Sequence, residues 1–153
     1  MGKGFLGTAA SRAADLTLVI ELGMGLLLVL GAMLARKRRY RAHAWCQTAV
    51  VLLNLVVITV YMAPDFRRQV LPAMRADFGG LHYLLAAAHG ALGVIAELFA
   101  IYIVLAAGTS FLPPRLRVAK YVPWMRSALA LWWLSLLLGL ATYFSWYILP
   151  LYL

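Results

Sequence analysis

The sequence predicts an all-α membrane protein, a bundle of four transmembrane helices, and two observations lead to this fold class. Hydrophobic residues make up 65% of the 153 residues and charged residues only 12%, whereas soluble domains are about half apolar and a quarter charged. The apolar residues also fall into four runs, each of about the 20 residues that a helix needs to cross a bilayer. No run alternates as a barrel strand does. We therefore expect one membrane domain over residues 1–153.

The four helices are expected over residues 16–35, 44–63, 81–107 and 124–149. Because proline disrupts a helix interior, its positions mark the ends of these runs. Every proline falls at or outside such an end: Pro64, Pro72, Pro113, Pro114, Pro123 and Pro150. The longest connection is then residues 64–80. The first run is interpreted as a retained helix, since Asp15 and Glu21 interrupt its start and no cleavage motif of a signal peptide follows it.

Positive charge predicts the orientation of the bundle. The net charge is +9, but the charges lie between apolar runs, which is typical of a membrane protein and argues against a nucleic-acid partner. The first and third connections, with the start of the last helix, hold nine of the fourteen basic residues: Arg36, Lys37, Arg38, Arg39, Arg41, Arg115, Arg117, Lys120 and Arg126. These connections should be cytoplasmic and both termini outside. Their charges either set topology beside anionic lipids or dock a partner, and the general rule favours the first.

Aromatic side chains near the ends of the runs fit the same orientation. An outer aromatic belt is expected from Tyr143, Trp146, Tyr147 and Tyr152, and an inner one from Trp45 and Trp124.

Polar residues inside a membrane are costly and are therefore functional candidates. They are Glu21, His43, Asn54, His82, His89 and Glu97. His89 lies about 12 Å into the third helix, beside Gly90 and Gly93, and can bind a cofactor, relay a proton or bond a neighbouring helix. His82 lies two turns earlier on nearly the same face, and both histidines are candidate cofactor-binding residues. Glu21 could pair with His89, but no sequence rule tells which helices touch.

Two further groups of residues are candidate sites. His43 and Cys46 share a helix face at the start of the second helix, and imidazole with thiol suits copper or zinc, although a buried lone cysteine is usually an apolar packing residue. Glu97 should be protonated or hydrogen-bonded, with Tyr102, Asn54 and Thr59 as available donors. It has either a structural role or a role in proton relay.

The depths of the histidines do not suit a bis-histidine haem. His43 lies near the inner edge and His89 in the outer half, so their backbones differ in height by roughly 18 Å in a hydrocarbon core of about 30 Å. We expect no cofactor in the isolated protein; haem and copper are the candidates left open. No enzyme motif is present, so we expect no catalytic residues and no enzyme activity.

Several stretches, taken in order, resemble a known family. They are the basic loop leading into RAHAWCQ, Tyr61, DFGG followed by LHYLLAAAHGALG, and LWWLSLLLGLATYFSWY. Together they resemble the small four-helix bacterial membrane proteins that include YozB and CtaM. The positions that match that family's pattern are His43, Phe78 with Gly80, His89, Trp132, Gly139 and Tyr143. The chain departs from it in having Gln47 where methionine is usual, and no histidine in RVAKYVPW.

The resemblance implies an accessory or assembly factor for a haem–copper terminal oxidase in the bacterial cytoplasmic membrane. Its partners would be membrane lipids and subunits of a respiratory complex. The departures argue against a role in metal delivery. They leave open an alternative, a small integral subunit of a respiratory or photosynthetic electron-transfer complex that contacts haem or quinone. A redox protein carrying one haem is disfavoured by the histidine depths.

Overall fold

The computed structural model describes residues 4–76 and 80–149, and this part of the chain is helical without strands. Four long helices are apolar enough to cross a membrane, as predicted. They are α1 (Arg12–Arg36), α2 (40–76), α3 (Leu81–Gly108) and α4 (Tyr121–Ile148). Each begins a few residues before its predicted start or at it.

The helices form two antiparallel hairpins, α1 with α2 and α3 with α4, and the α3–α4 contact is the most extensive. The hairpins meet where α1 packs on α4 and α2 on α3. The Ala9 N–H donates to the Tyr147 carbonyl at 3.3 Å, so the N-terminal segment and the end of α4 lie together. We call this the terminal end of the bundle, and the opposite end, with the α1–α2 and α3–α4 connections, the loop end.

The boundaries of α1 follow from local chemistry. Ser11 caps its first turn, because its Oγ accepts a hydrogen bond from the Ala14 N–H at 3.2 Å. At the other end the chain reverses within three residues, 37–39, and Arg38 takes a left-handed conformation with φ 58°. The five basic side chains of this region are exposed at the loop end: Arg36, Lys37, Arg38, Arg39 and Arg41.

The second helix does not end near residue 63 as predicted. It continues through Pro64 and Pro72, so these prolines lie within a helix and the expected long loop is largely helical. A π turn over Ile58–Met62 ends two residues before Pro64, and another over Phe66–Val70 ends two residues before Pro72. A proline ring clashes with the carbonyl four residues earlier and has no N–H to donate. Local widening to π geometry at both places accommodates these defects.

The length of α2 has a consequence for the membrane. The 36 residues of its span Tyr40–Arg75 alone correspond to about 54 Å at 1.5 Å per residue, against a hydrocarbon core of about 30 Å. Its last turns, with exposed Arg67, Arg68 and Arg75, must therefore project beyond the core at the terminal end.

Asp15 anchors the N-terminal segment at that end, although it is fully buried. Its Oδ1 accepts from the Tyr143 hydroxyl at 2.6 Å and its Oδ2 from the Leu6 N–H at 2.8 Å. Thr8 shares a 2.8 Å hydrogen bond with the same tyrosine. The placement of Tyr143 in the outer aromatic belt was therefore wrong, because the side chain is buried and its hydroxyl donates to the Asp15 carboxylate. Trp146 and Tyr147 are partly exposed there, whereas Pro150 and Tyr152 lie outside the described residues.

The apolar core occupies the middle of the bundle and extends towards the loop end. Its centre is formed by Met24, Leu28, Val50, Val51, Ala96, Ala100 and Trp132. Trp45 is 72% exposed and Trp124 41% exposed near the loop end, which suits the expected inner interface. The terminal half is packed differently, around a cavity.

Candidate functional site

A cavity of about 770 Å³ lies in the terminal half of the bundle, and all four helices contribute to its wall. This volume is within the range of small-molecule sites in proteins. It extends from the level of Met24 and Trp132 towards the terminal end, where Asp65 and Arg67 line it. The wall is mostly apolar, with aromatic side chains from α2 and α4, and Glu21 and His89 bring acid–base groups into its interior.

Glu21 of α1 and His89 of α3 face each other across this cavity. The His89 Nε2 and the Glu21 Oε1 are 3.6 Å apart, and the side chains are only 18% and 12% exposed. The other ring nitrogen, Nδ1, lies 2.9 Å from the Ser135 carbonyl of α4. A carbonyl only accepts, so Nδ1 carries a proton and donates. In the neutral ring Nε2 is then the acceptor, directed at the carboxyl group. The structure thus brings together the pair that the sequence left open.

Small residues allow three helices to meet at the pair. A Cβ on Gly139 of α4 would lie 2.9 Å from both Glu21 Oε2 and His89 Cε1, closer than real Cβ contacts. One turn away, a Cβ on Gly93 would lie 3.2 Å from the Ser135 Oγ. Glycine at 139 is therefore what lets an acid, an imidazole and the α4 backbone share one level of the bundle.

A second polar contact lies deeper, at the inner limit of the cavity. The Asn54 Nδ2 donates to Glu97 Oε2 at 2.9 Å, so one of the three expected donors does serve Glu97. Tyr102 instead donates to the Leu116 carbonyl, and Thr59 bonds carbonyls of its own helix. Glu97 is 3% exposed, and its Oε1 has no hydrogen-bond partner among the described residues. Asn54 lines the cavity and so connects it to this carboxyl group.

His82 does not join His89. It lies exposed at the start of α3, with its ring 6.1 Å from that of Trp146 in an edge-on arrangement. Its carbonyl accepts from the Trp146 Nε1 at 3.1 Å. Two turns of helix separate it from His89, and it is not part of the cavity wall, so the two candidate cofactor ligands occupy different environments.

His43 and Cys46 both bond the backbone of α1 at the loop end. The His43 Nδ1 donates to the Gly31 carbonyl at 2.8 Å, and the Cys46 thiol donates to the Leu27 carbonyl at 3.4 Å. These contacts join the first hairpin, and Gln47 packs on Gly31 beside them. Within residues 4–76 and 80–149, no group of three or more His, Cys, Asp or Glu side chains is placed to hold a metal ion. Metal binding by His43 and Cys46 stays a prediction.

Several features of the site carried no signal in the sequence. The Ser135 carbonyl that orients His89 is a backbone group, which any residue supplies. Phe66 and Asp65 reach the cavity only because α2 continues beyond Pro64. Gly139 was noted only through the family resemblance, and its contact with both members of the pair depends on how α4 packs.

Chemically, the site offers a buried hydrogen-bonding pair within an apolar chamber. Glu21 and His89 can each exchange a hydrogen bond with a third group, because 3.6 Å is too long for a good direct bond between them. Comparison of the chain with family models, with curated proteins and with solved structures finds no match.

Proposed function

We propose that this protein is an integral membrane accessory or assembly factor for a haem–copper terminal oxidase, and that the Glu21–His89 cavity is its functional site. The proposal rests on the positions of the residues that match the family pattern. His89, Trp132, Gly139 and Tyr143 come from two helices, and all four line the cavity. Of the remaining matches, His43 and Gly80 lie outside the cavity wall, and Phe78 is outside the described residues. The matching residues of α3 and α4 therefore lie together around the cavity.

The chemistry of the cavity suits binding rather than catalysis. An acid–imidazole pair in a mostly apolar chamber can hold or orient a polar group within the membrane. The proposed setting is the bacterial cytoplasmic membrane, with the basic connections on the cytoplasmic side.

A second candidate, an integral subunit of an electron-transfer complex that contacts haem or quinone, is favoured by the size of the cavity. The side chains present do not fit haem well. All three histidines are described, yet only His89 lines the cavity, and its Nε2 faces the Glu21 carboxyl at 3.6 Å. An iron could bind Nε2 only after that carboxyl moved away. We therefore assign no role to a haem held by this chain.

The proposal is tested by replacing His89 in a strain that depends on this gene for oxidase activity. His89→Ala should insert and accumulate normally but impair oxidase turnover, because the orientation of the pair is lost. His82→Ala is the matched control, since the His82 side chain is exposed and its hydrogen bond from Trp146 goes to the backbone carbonyl, which alanine keeps. Immunoblots of membranes and oxygen consumption are measured together. Full activity at normal abundance, or activity that falls only with abundance, would show that His89 is a packing residue.

A further inference from the structure

We propose that the cavity binds a membrane quinone or quinol, with its head group at Glu21 and His89 and its isoprenoid tail directed into the lipid. The inference rests on the proposal that this cavity is the functional site, but not on which complex the protein serves.

The polar end of the cavity selects a neutral head that both accepts and donates hydrogen bonds. His89 Nε2 accepts when the ring is neutral, since Nδ1 is committed to the Ser135 carbonyl. Glu21 donates or accepts according to its protonation, and no hydrogen bond to its carboxyl group is found within the described residues. An oxygen placed beside both groups can bond both. A quinone carbonyl or a quinol hydroxyl meets this requirement without bringing a charge into the chamber.

The rest of the wall suits a flat ring. Phe66 of α2 and Trp132 of α4 line the chamber, and a Cβ on Gly90 of α3 would lie 3.8 Å from the Phe66 ring. The Phe66 ring therefore lies close to the backbone of α3 at Gly90, and the two together form one side of the chamber. Aromatic side chains on the wall can stack on the planar head of a quinone.

The cavity also reaches the surface that lipid would cover. Val94 and Ile95 of α3 line it and are nevertheless 48% and 55% exposed. They lie near the middle of α3, at a depth where the surroundings are hydrocarbon. α2 and α3 touch over much less of their length than α3 and α4 do. The exposed side of the cavity at Val94 and Ile95 therefore gives an apolar tail a route from the chamber into the bilayer.

Other lipophilic ligands fit less well. A fatty acid would place a second carboxyl group beside Glu21, and Arg67, the basic residue of the lining besides His89, lies at the terminal end and is exposed. A phospholipid phosphate would meet the same obstacle.

The test uses the full chain in nanodiscs made from lipid without quinone. A quinone with a tail of two isoprene units is titrated in, and binding is followed by quenching of tryptophan fluorescence, with oleate as a competitor. We expect saturable quenching at one quinone per chain that oleate does not displace. Gly90→Leu should weaken binding at least tenfold by filling the chamber, and so should His89→Leu. Gly23→Leu is the matched control, because a Cβ at Gly23 has nothing within 4 Å and this residue is outside the cavity lining.

The thermal unfolding of each variant is measured in the same nanodiscs, so that a loss of binding can be told from a loss of folding. If Gly90→Leu unfolds early, Glu21→Leu replaces it, since leucine is of similar size but cannot form a hydrogen bond to the head group. Quenching that rises linearly with quinone, that Gly23→Leu changes as much as the cavity variants, or that oleate abolishes would overturn the assignment. Because the assay contains no oxidase, a failure to bind quinone overturns only the assignment of quinone as the ligand. Failure of His89→Ala to affect the oxidase overturns only the accessory role.

Discussion

Gly139 determines how closely Glu21 and His89 can share one level of the bundle. Its hydrogen leaves room that a methyl group would take from both side chains, at 2.9 Å in each case. The His89 ring cannot easily give way, because it is held by the Ser135 carbonyl. A single carbon added at position 139 would therefore disturb the pair, although neither Glu21 nor His89 lies on α4.

Gly139→Ala should lower the stability of the protein by about 1–3 kcal/mol, the usual cost of overpacking. Gly23→Ala should have the opposite sign, since alanine within a helix gains about 0.5–1 kcal/mol over glycine and nothing lies within 4 Å of a Cβ at this position. Thermal unfolding in detergent compares the two. Equal shifts would mean that α4 does not pack against the pair.

Single residues also show what a sequence can and cannot reveal. Glu21, His89, Asn54 and Glu97 were recognised because polar groups in an apolar run are conspicuous, and two pairs form among them. Asp15 was taken only as an interruption of an apolar run. Its burial depends on Tyr143, which is 128 residues away, and on the backbone N–H of Leu6. No local pattern marks such a contact.

At the scale of elements, α2 departs most from the expectation. The proline rule correctly located two disturbances, at Pro64 and Pro72, but the helix absorbs each with a π turn instead of ending. A loop and a π turn have the same sequence signal, because both avoid the clash of the ring with an earlier carbonyl. The other helices carried no such ambiguity, since their long apolar runs end at clear polar or proline-containing segments.

The continuity of α2 can be measured as a distance. Spin labels at Thr59 and Arg75, both exposed, are separated by 16 residues and should lie about 24 Å apart at 1.5 Å per residue. A pulsed dipolar measurement should give one narrow distribution near that value, and labels at the exposed Ala42 and Val56, both on the regular part Tyr40–Val57, serve as the reference. A broad or much shorter distribution would show that the chain turns at Pro64 and that Phe66 does not reach the cavity.

For the whole molecule, the bundle divides into a packed region and a hollow one. The core fills the middle and the loop half, while the cavity fills the terminal half. The basic residues of both connections lie at the packed end, and the Asp15 anchor closes the hollow end. From the positive-inside rule we expect the opening of the cavity to lie in the outer leaflet.

Reporter fusions test this orientation. Fusions after Arg39 and after Arg117 should report the cytoplasm, because the charges of the loop end are retained there. A fusion after Gln69 should report the outside, since α2 projects beyond the membrane core at this point. The reverse pattern would place the cavity in the inner leaflet and remove the basis for an outer-leaflet site.

The central claim is that Glu21 and His89 act as one unit in the cavity, and a double-mutant cycle tests it most directly. Oxidase turnover per unit of membrane protein is compared for Glu21→Gln, His89→Ala and the double variant, with Gly23→Leu as control. Suppose that each single change lowers turnover about tenfold, or ~1.4 kcal/mol. The double change should then lower turnover no more than the worse single change does, because each single change already breaks the pair. A loss of about 100-fold in the double variant, the sum of two independent ~1.4 kcal/mol effects, would contradict the account.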